Sequence, residues 1–148
     1  MFKVLLATDG SAGANKAAEY TAKLCQGRAD AEVTALFVKD PGDYYAVGGG
    51  DPKMLGIPDL RGLDEYLERT SQQALSSVQN TLQQAGCQVN LRTESGRAHE
   101  VICSVAEGEN FDQVVMGKRG LGAIVGLFVG SVSNRVIHAC RVPVTVVH

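Results

Sequence analysis

Gln113-Val114-Val115-Met116-Gly117-Lys118-Arg119-Gly120, then nine residues, then Gly130-Ser131-Val132-Ser133: an apolar run passes through a glycine ladder into a segment of helical period. Gln113 to Met116 reads as a buried parallel strand. Val132, Val136, Ile137 and Cys140 fall at helical spacing on one face, so the glycines occupy a strand-to-helix turn. Anions bind at such turns because glycine lets the backbone approach closely. The first helical turn adds unpaired N–H groups and the positive end of the helix dipole, and Ser131 and Ser133 add hydroxyls.

Working outward, the chain alternates strand and helix. Phe2 to Thr8 reads as a strand, and Ser11 can cap a helix whose stripe is Ala14, Ala17, Ala18, Ala22 and Cys25. Glu32 to Val38 is a second strand. Leu60, Leu63, Leu67, Ala74, Leu75, Val78, Leu82 and Ala85 mark a long helix that Gly86 can end in the left-handed conformation. Cys87 to Thr93 gives a third strand, Ala98, Val101, Ile102 and Val105 a short helix, and Val142 to Val147 a last strand. Such alternation implies right-handed crossovers and a parallel sheet covered on both faces. Asp40 to Asp59 has neither period and carries Pro41, Gly48 to Gly50, Pro52 and Pro58, so it is expected to be a flexible surface loop insertion beside the site, with Tyr44 and Tyr45 in a ligand-gated flap.

Composition narrows the class. With 148 residues, 45% of them hydrophobic, the chain suits one domain over 1–148 and is too short for two cores. A formal net charge of -2 gives no reason to expect a nucleic-acid or anionic-membrane surface. No basic, apolar and small-residue series marks a signal peptide after Met1, and the apolar stretch Gly120 to Val132 is too short and too glycine-rich to span a bilayer. A soluble cytoplasmic protein with no membrane partner is expected. Cys25, Cys87, Cys103 and Cys140 are scattered with no C-x-x-C pair, and His99, His138 and His148 lack zinc-ligand spacing, so buried reduced thiols and no metal site are the expectation.

The ladder is neither a Walker A loop, since Gly130 is followed directly by Ser131, nor a G-x-G-x-x-G dinucleotide fingerprint. As written it is G-x2-G-x9-G-[ST]. Together with Val4-Leu5-Leu6-Ala7-Thr8-Asp9-Gly10-Ser11, Gly96-x-x-x-Glu100-x-Ile102 and Val142-Pro143-Val144-Thr145-Val146-Val147, it resembles the ATP-binding branch of the universal stress protein family over the whole chain. One departure is Ala98, where that family often has proline at the start of a helix.

The resemblance implies an open five-stranded parallel α/β sheet of order 3-2-1-4-5 with helices on both faces, an adenine nucleotide α-hydrolase-like, Rossmann-like fold. The strand order reverses between strands 1 and 4, and ligands of open α/β sheets sit at the carboxyl ends of strands at such a switch point. Gly117, Gly120, Gly130, Ser131, Val132 and Ser133 would then hold triphosphate and ribose. Ala7, Asp9, Val38 and Met116 match adenosine contacts. Val38 and Met116 read equally as apolar walls for adenine or as strand core, and Asp9 as a carboxylate for ribose hydroxyls or a metal-bound water, or as a carboxylate satisfied at the helix start. Arg119, with Lys118, would screen phosphate charge or be a solvated loop cation. The implied ligand is ATP, with AMP or ADP as alternatives and Mg²⁺ as a companion, and the implied assembly is a homodimer joined through strand 142–147.

No nucleophile and base pair, paired catalytic carboxylates or metal triad is recognisable, so no catalytic residue is assigned. The leading reading is a nucleotide-dependent stress-response module with an unknown protein partner and at most slow ATP hydrolysis. Two others stand beside it: a weak metal-dependent ATPase or phosphoryl/nucleotidyl transferase working through Asp9, and a nucleotide-free dimeric interaction protein.

Overall fold

The computed structural model describes residues 1–42, 60–118 and 131–148. Its elements are β1 (Phe2–Ala7), α1 (Ala12–Cys25), β2 (Ala31–Lys39), α2 (Leu60–Gln84), β3 (Gln88–Ser95), α3 (Ala98–Gly108), β4 (Gln113–Gly117), α4 (Ser131–Ala139) and β5 (Val144–Val147). The five strands form one sheet in the order β3-β2-β1-β4-β5, with every neighbouring pair parallel. The expected fold class and strand order are therefore the observed ones. The order in which strands are added across the sheet reverses at β1, which pairs with β2 on one side and β4 on the other.

The period of two along β1 builds both layers of the core. Val4 and Leu6 point to one face, where Val33, Phe37 and Val115 meet the alanine stripe of α1 and Ala74, Leu75, Val78 and Leu82 of α2. Leu5 and Ala7 point to the other, against Leu36, Val114 and Met116 under Ile102, Val105 and Ala106 of α3 and Val136 of α4. Leu5, Leu6, Leu36 and Leu82 are wholly buried. Removing one such side chain from water stabilises the fold by about 2 kcal/mol, so the sheet is anchored from both sides.

Local signals set the ends of the elements. Ser11 accepts the Ala14 N–H at 3.2 Å and caps α1, and Gly86, at φ +76°, follows the end of α2 in the left-handed region. The last strand starts at Val144 rather than Val142. Pro143 has no N–H to donate, although its carbonyl already accepts the Val114 N–H at 2.8 Å. Ile137 does not share the buried face of α4 and is 43% exposed, whereas Val136 is buried. At 100° per residue, positions 132 and 136 lie one above the other and 137 turns away.

Among the described residues, no helix is long and apolar enough to cross a membrane.

Candidate functional site

Two segments meet where the sheet changes direction. After β1 the Thr8 N–H donates to Leu36 O at 2.9 Å, carrying the β1–β2 ladder one residue beyond the strand. The chain then turns sharply. Asp9 Oδ1 accepts the Ser11 N–H at 2.9 Å across Gly10, and Ser11 passes directly into the cap of α1. Asp9 is thus held at the carboxyl end of β1, beside the first turn of a helix.

Gly117, at the end of β4, lies against that same first turn. A Cβ there would sit 2.6 Å from the Gly13 carbonyl carbon, 2.7 Å from its oxygen and 2.9 Å from the Ala14 nitrogen. Real side chains do not make such contacts with backbone, so only glycine fits. Gly13 belongs to none of the sequence motifs. Its signal was a glycine inside the first turn of a helix, where propensity alone disfavours it.

The ladder is tied down at its two described ends. The Lys118 N–H donates to Val147 O at 2.8 Å, which fixes it to β5. The Ser133 hydroxyl donates to Lys118 O at 2.9 Å, and Ser133 is only 2% exposed. The first turn of α4 is therefore stitched to the end of β4 by the side chain expected to offer a hydroxyl to a ligand. Ser131 begins α4. Arg119, Gly120 and Gly130 lie outside the described residues, as does the loop from 43 to 59 with Tyr44 and Tyr45.

The apolar candidates gather on one side of the crevice. Ala7 and Met116 are buried and Val38 and Val132 half-buried, and all four belong to the cluster beneath α3 and α4. Core packing and an apolar floor at the strand ends are here the same residues.

Asp40, just beyond β2, reads in the sequence only as the start of a loop. Its Oδ2 accepts the Ala98 N–H at 2.8 Å and its Oδ1 the Gly42 N–H at 2.9 Å. Arg97 occupies the N-cap of α3 without a capping hydrogen bond from its own side chain, so the cap arrives from a distant strand. Beside it Lys39 pairs with Glu68 of α2, and that hydrogen bond holds the Glu68 carboxyl below its usual range. Both faces of the sheet are thus clamped to the end of β2, next to Val38.

Among the described residues no group of three or more His, Cys, Asp or Glu side chains could hold a metal ion. The arrangement sets one carboxylate and an apolar floor side by side at the carboxyl ends of β1 and β4.

Comparison with known proteins matches this architecture. The model of the universal stress protein family matches residues 1–148. A universal stress protein of Thermus aquaticus is 33% identical over 153 aligned residues, covering 99% of either chain. Among solved structures, the protein designated MJ0577 superposes with a TM-score of 0.75 at 26% identity, covering 99% of this chain and 94% of its own. An Arabidopsis thaliana universal stress protein family member, solved with AMP bound, gives a TM-score of 0.68 at 19% identity, covering 99% and 91%.

Proposed function

This chain belongs to the universal stress protein family, and from that premise we propose that it is an adenine-nucleotide-binding regulatory module, cytoplasmic and dimeric, whose nucleotide state governs contact with a protein partner. The observation that carries the proposal is the meeting of two distant segments at the switch point. Asp9 and the first turn of α1 lie on one side, and Gly117, Lys118 and the first turn of α4 on the other. The AMP-bound Arabidopsis relative supports the ligand class.

In this reading the backbone N–H groups of Gly117, Gly120, Gly130, Ser131 and Val132 face the phosphates, helped by the positive end of the α4 dipole. Asp9 accepts from ribose hydroxyls. Ala7, Val38 and Met116 form the apolar floor against which adenine packs, and Arg119 balances phosphate charge. Ser133 serves by holding the two ends of the ladder together through Lys118 O. Mg²⁺ would accompany the phosphates, and a metal-bound water is the alternative to ribose hydroxyls as the group that Asp9 would accept from. Among the described residues no side chain is assigned as nucleophile or general base, and the reading is of binding with at most slow turnover.

The test is calorimetric titration of ATP, ADP and AMP into wild-type protein and Gly130→Val. The proposal expects micromolar binding of at least one nucleotide, lost in the variant because a branched side chain blocks backbone approach. Absence of heat with all three in the wild type overturns it.

A further inference from the structure

Four cysteines that are far apart in sequence come together in pairs. Cys103 lies on α3 and is 9% exposed, while Cys140 follows α4 and is half-buried. Both belong to the cluster on the α3 and α4 face of the sheet.

Separate contacts fix how they sit. The Arg141 N–H donates to Glu107 Oε1 at 2.9 Å. Glu107 is four positions after Cys103, hence one turn along the same side of α3. Anchoring Arg141 there brings Cys140, the residue before it, alongside Cys103, and both side chains pack in the same apolar cluster. The Cys140 N–H also donates to Val136 O at 2.9 Å, so its backbone is held by the last turn of α4. Each thiol is therefore positioned by an element that the other does not share.

We propose that Cys103 and Cys140 form a covalent modification site, a reversible disulfide made under peroxide that clips α3 to the end of α4. The chemistry balances in two steps. Peroxide oxidises the more open Cys140 thiol to a sulfenic acid and leaves as water. The Cys103 sulfur then attacks the Cys140 sulfur, the S–O bond breaks, an S–S bond forms, and the hydroxyl departs with the Cys103 proton as a second water. Two thiols and one peroxide give one disulfide and two waters. Dithiol reductants reverse it by exchange.

The bridge closes a chain segment that contains the entire stretch from Gly117 to Ser133, and so restricts the unfolded chain over the part that carries the candidate site. Burial pushes both thiol pKa values up, which keeps the pair protonated and its reaction slow at neutral pH. The switch therefore answers sustained peroxide rather than a brief pulse. It stands independently of nucleotide binding.

The experiment exposes the whole chain to hydrogen peroxide overnight, removes the oxidant with catalase, alkylates remaining thiols in denaturant, and maps tryptic peptides by mass spectrometry. The expected product is peptide 98–118 joined to peptide 136–141, absent after dithiothreitol. The map separates it from a link between Cys25 and Cys87, which share the cluster on the other face of the sheet. A rise in melting midpoint of about 5–10 °C should accompany it, and that rise should vanish in Cys103→Ser. Full alkylation of both cysteines, or Cys140 oxidised beyond the sulfenic stage without a link, overturns the proposal. A linked peptide with no change in melting midpoint overturns the clip. Should Cys103→Ser fail to fold, the wild-type peptide map still decides.

Discussion

Asp40 and Ala98 show how much one residue can do at the edge of this sheet. A proline at position 98, as the family resemblance leads one to expect, would carry no N–H; Ala98 does, and it donates to Asp40 Oδ2 at 2.8 Å. Through that bond β2 caps α3, next to Val38. Replacing Asp40 by alanine should cost about 1 kcal/mol, lowering the melting midpoint by about 3 °C. In an Ala98→Pro background the donor is already gone, so Asp40→Ala should cost clearly less. Equal costs in the two backgrounds, measured as a double-mutant cycle by thermal unfolding, would contradict the capping role. Cys25 gives a second test at this scale. Burial is the main cause of a thiol pKa pushed up from about 9 to about 11, with the Cys87 thiol beside it adding to the shift and Arg28 opposing it. A pKa raised in the folded state means that the native protein holds this proton more tightly than the unfolded chain. That stabilisation is present in full below pH 9 and is lost as pH rises towards 11. Urea unfolding followed from pH 8 to 11 should show stability falling across this window, and falling less steeply in Cys25→Ala.

At the scale of elements, most of the molecule was legible in its residues, and the reason is periodicity. The alanine stripe of α1 and the long apolar spacing of α2 repeat at 3.6 and were read directly, and the buried set of α1 is Ala14, Ala17, Ala18, Thr21, Ala22 and Cys25. Strand ends shifted by a residue or two, since hydrogen bonds rather than hydropathy set them, as the late start of β5 at Val144 after Pro143 illustrates. Strand order came from resemblance, because no local pattern in β1 records which strands flank it. The candidate site was legible only in part. Asp9 and Gly117 stood out by their motifs, while Gly13 and Asp40 matter through contacts made across the fold, Gly13 with the end of β4 and Asp40 with α3. The cysteine pairing was hidden for the same reason, since it depends on how α3 and α4 pack. β5 carries a prediction of its own. The Val114 N–H bonds Pro143 O and the Lys118 N–H bonds Val147 O, each at 2.8 Å, so Val144 and Val146 turn their amides away from β4, towards the open edge. Val146→Pro removes a donor from that edge and leaves the ladder to β4 in place. If two copies join through strand 142–147, sedimentation at micromolar concentration should give a dimer for the wild type and a monomer for the variant, whereas a wild-type monomer would rule this assembly out.

For the whole molecule, the central claim is that a sheet clamped from both faces presents a nucleotide site where its strand order reverses. Asp40 and the Lys39–Glu68 pair fix the end of β2, the close approach of Gly117 to Gly13 fixes the end of β4, and Ser133 closes the ladder between them. On the proposed reading a frame held this firmly is pre-organised, which would lower the ordering cost of ligand capture and let nucleotide survive purification. The most direct measurement is to denature freshly purified protein and identify what it releases by mass spectrometry. The account predicts adenine nucleotide, ATP, ADP or AMP, approaching one per chain. Protein that releases none, and that takes up none when ATP is supplied, would contradict it.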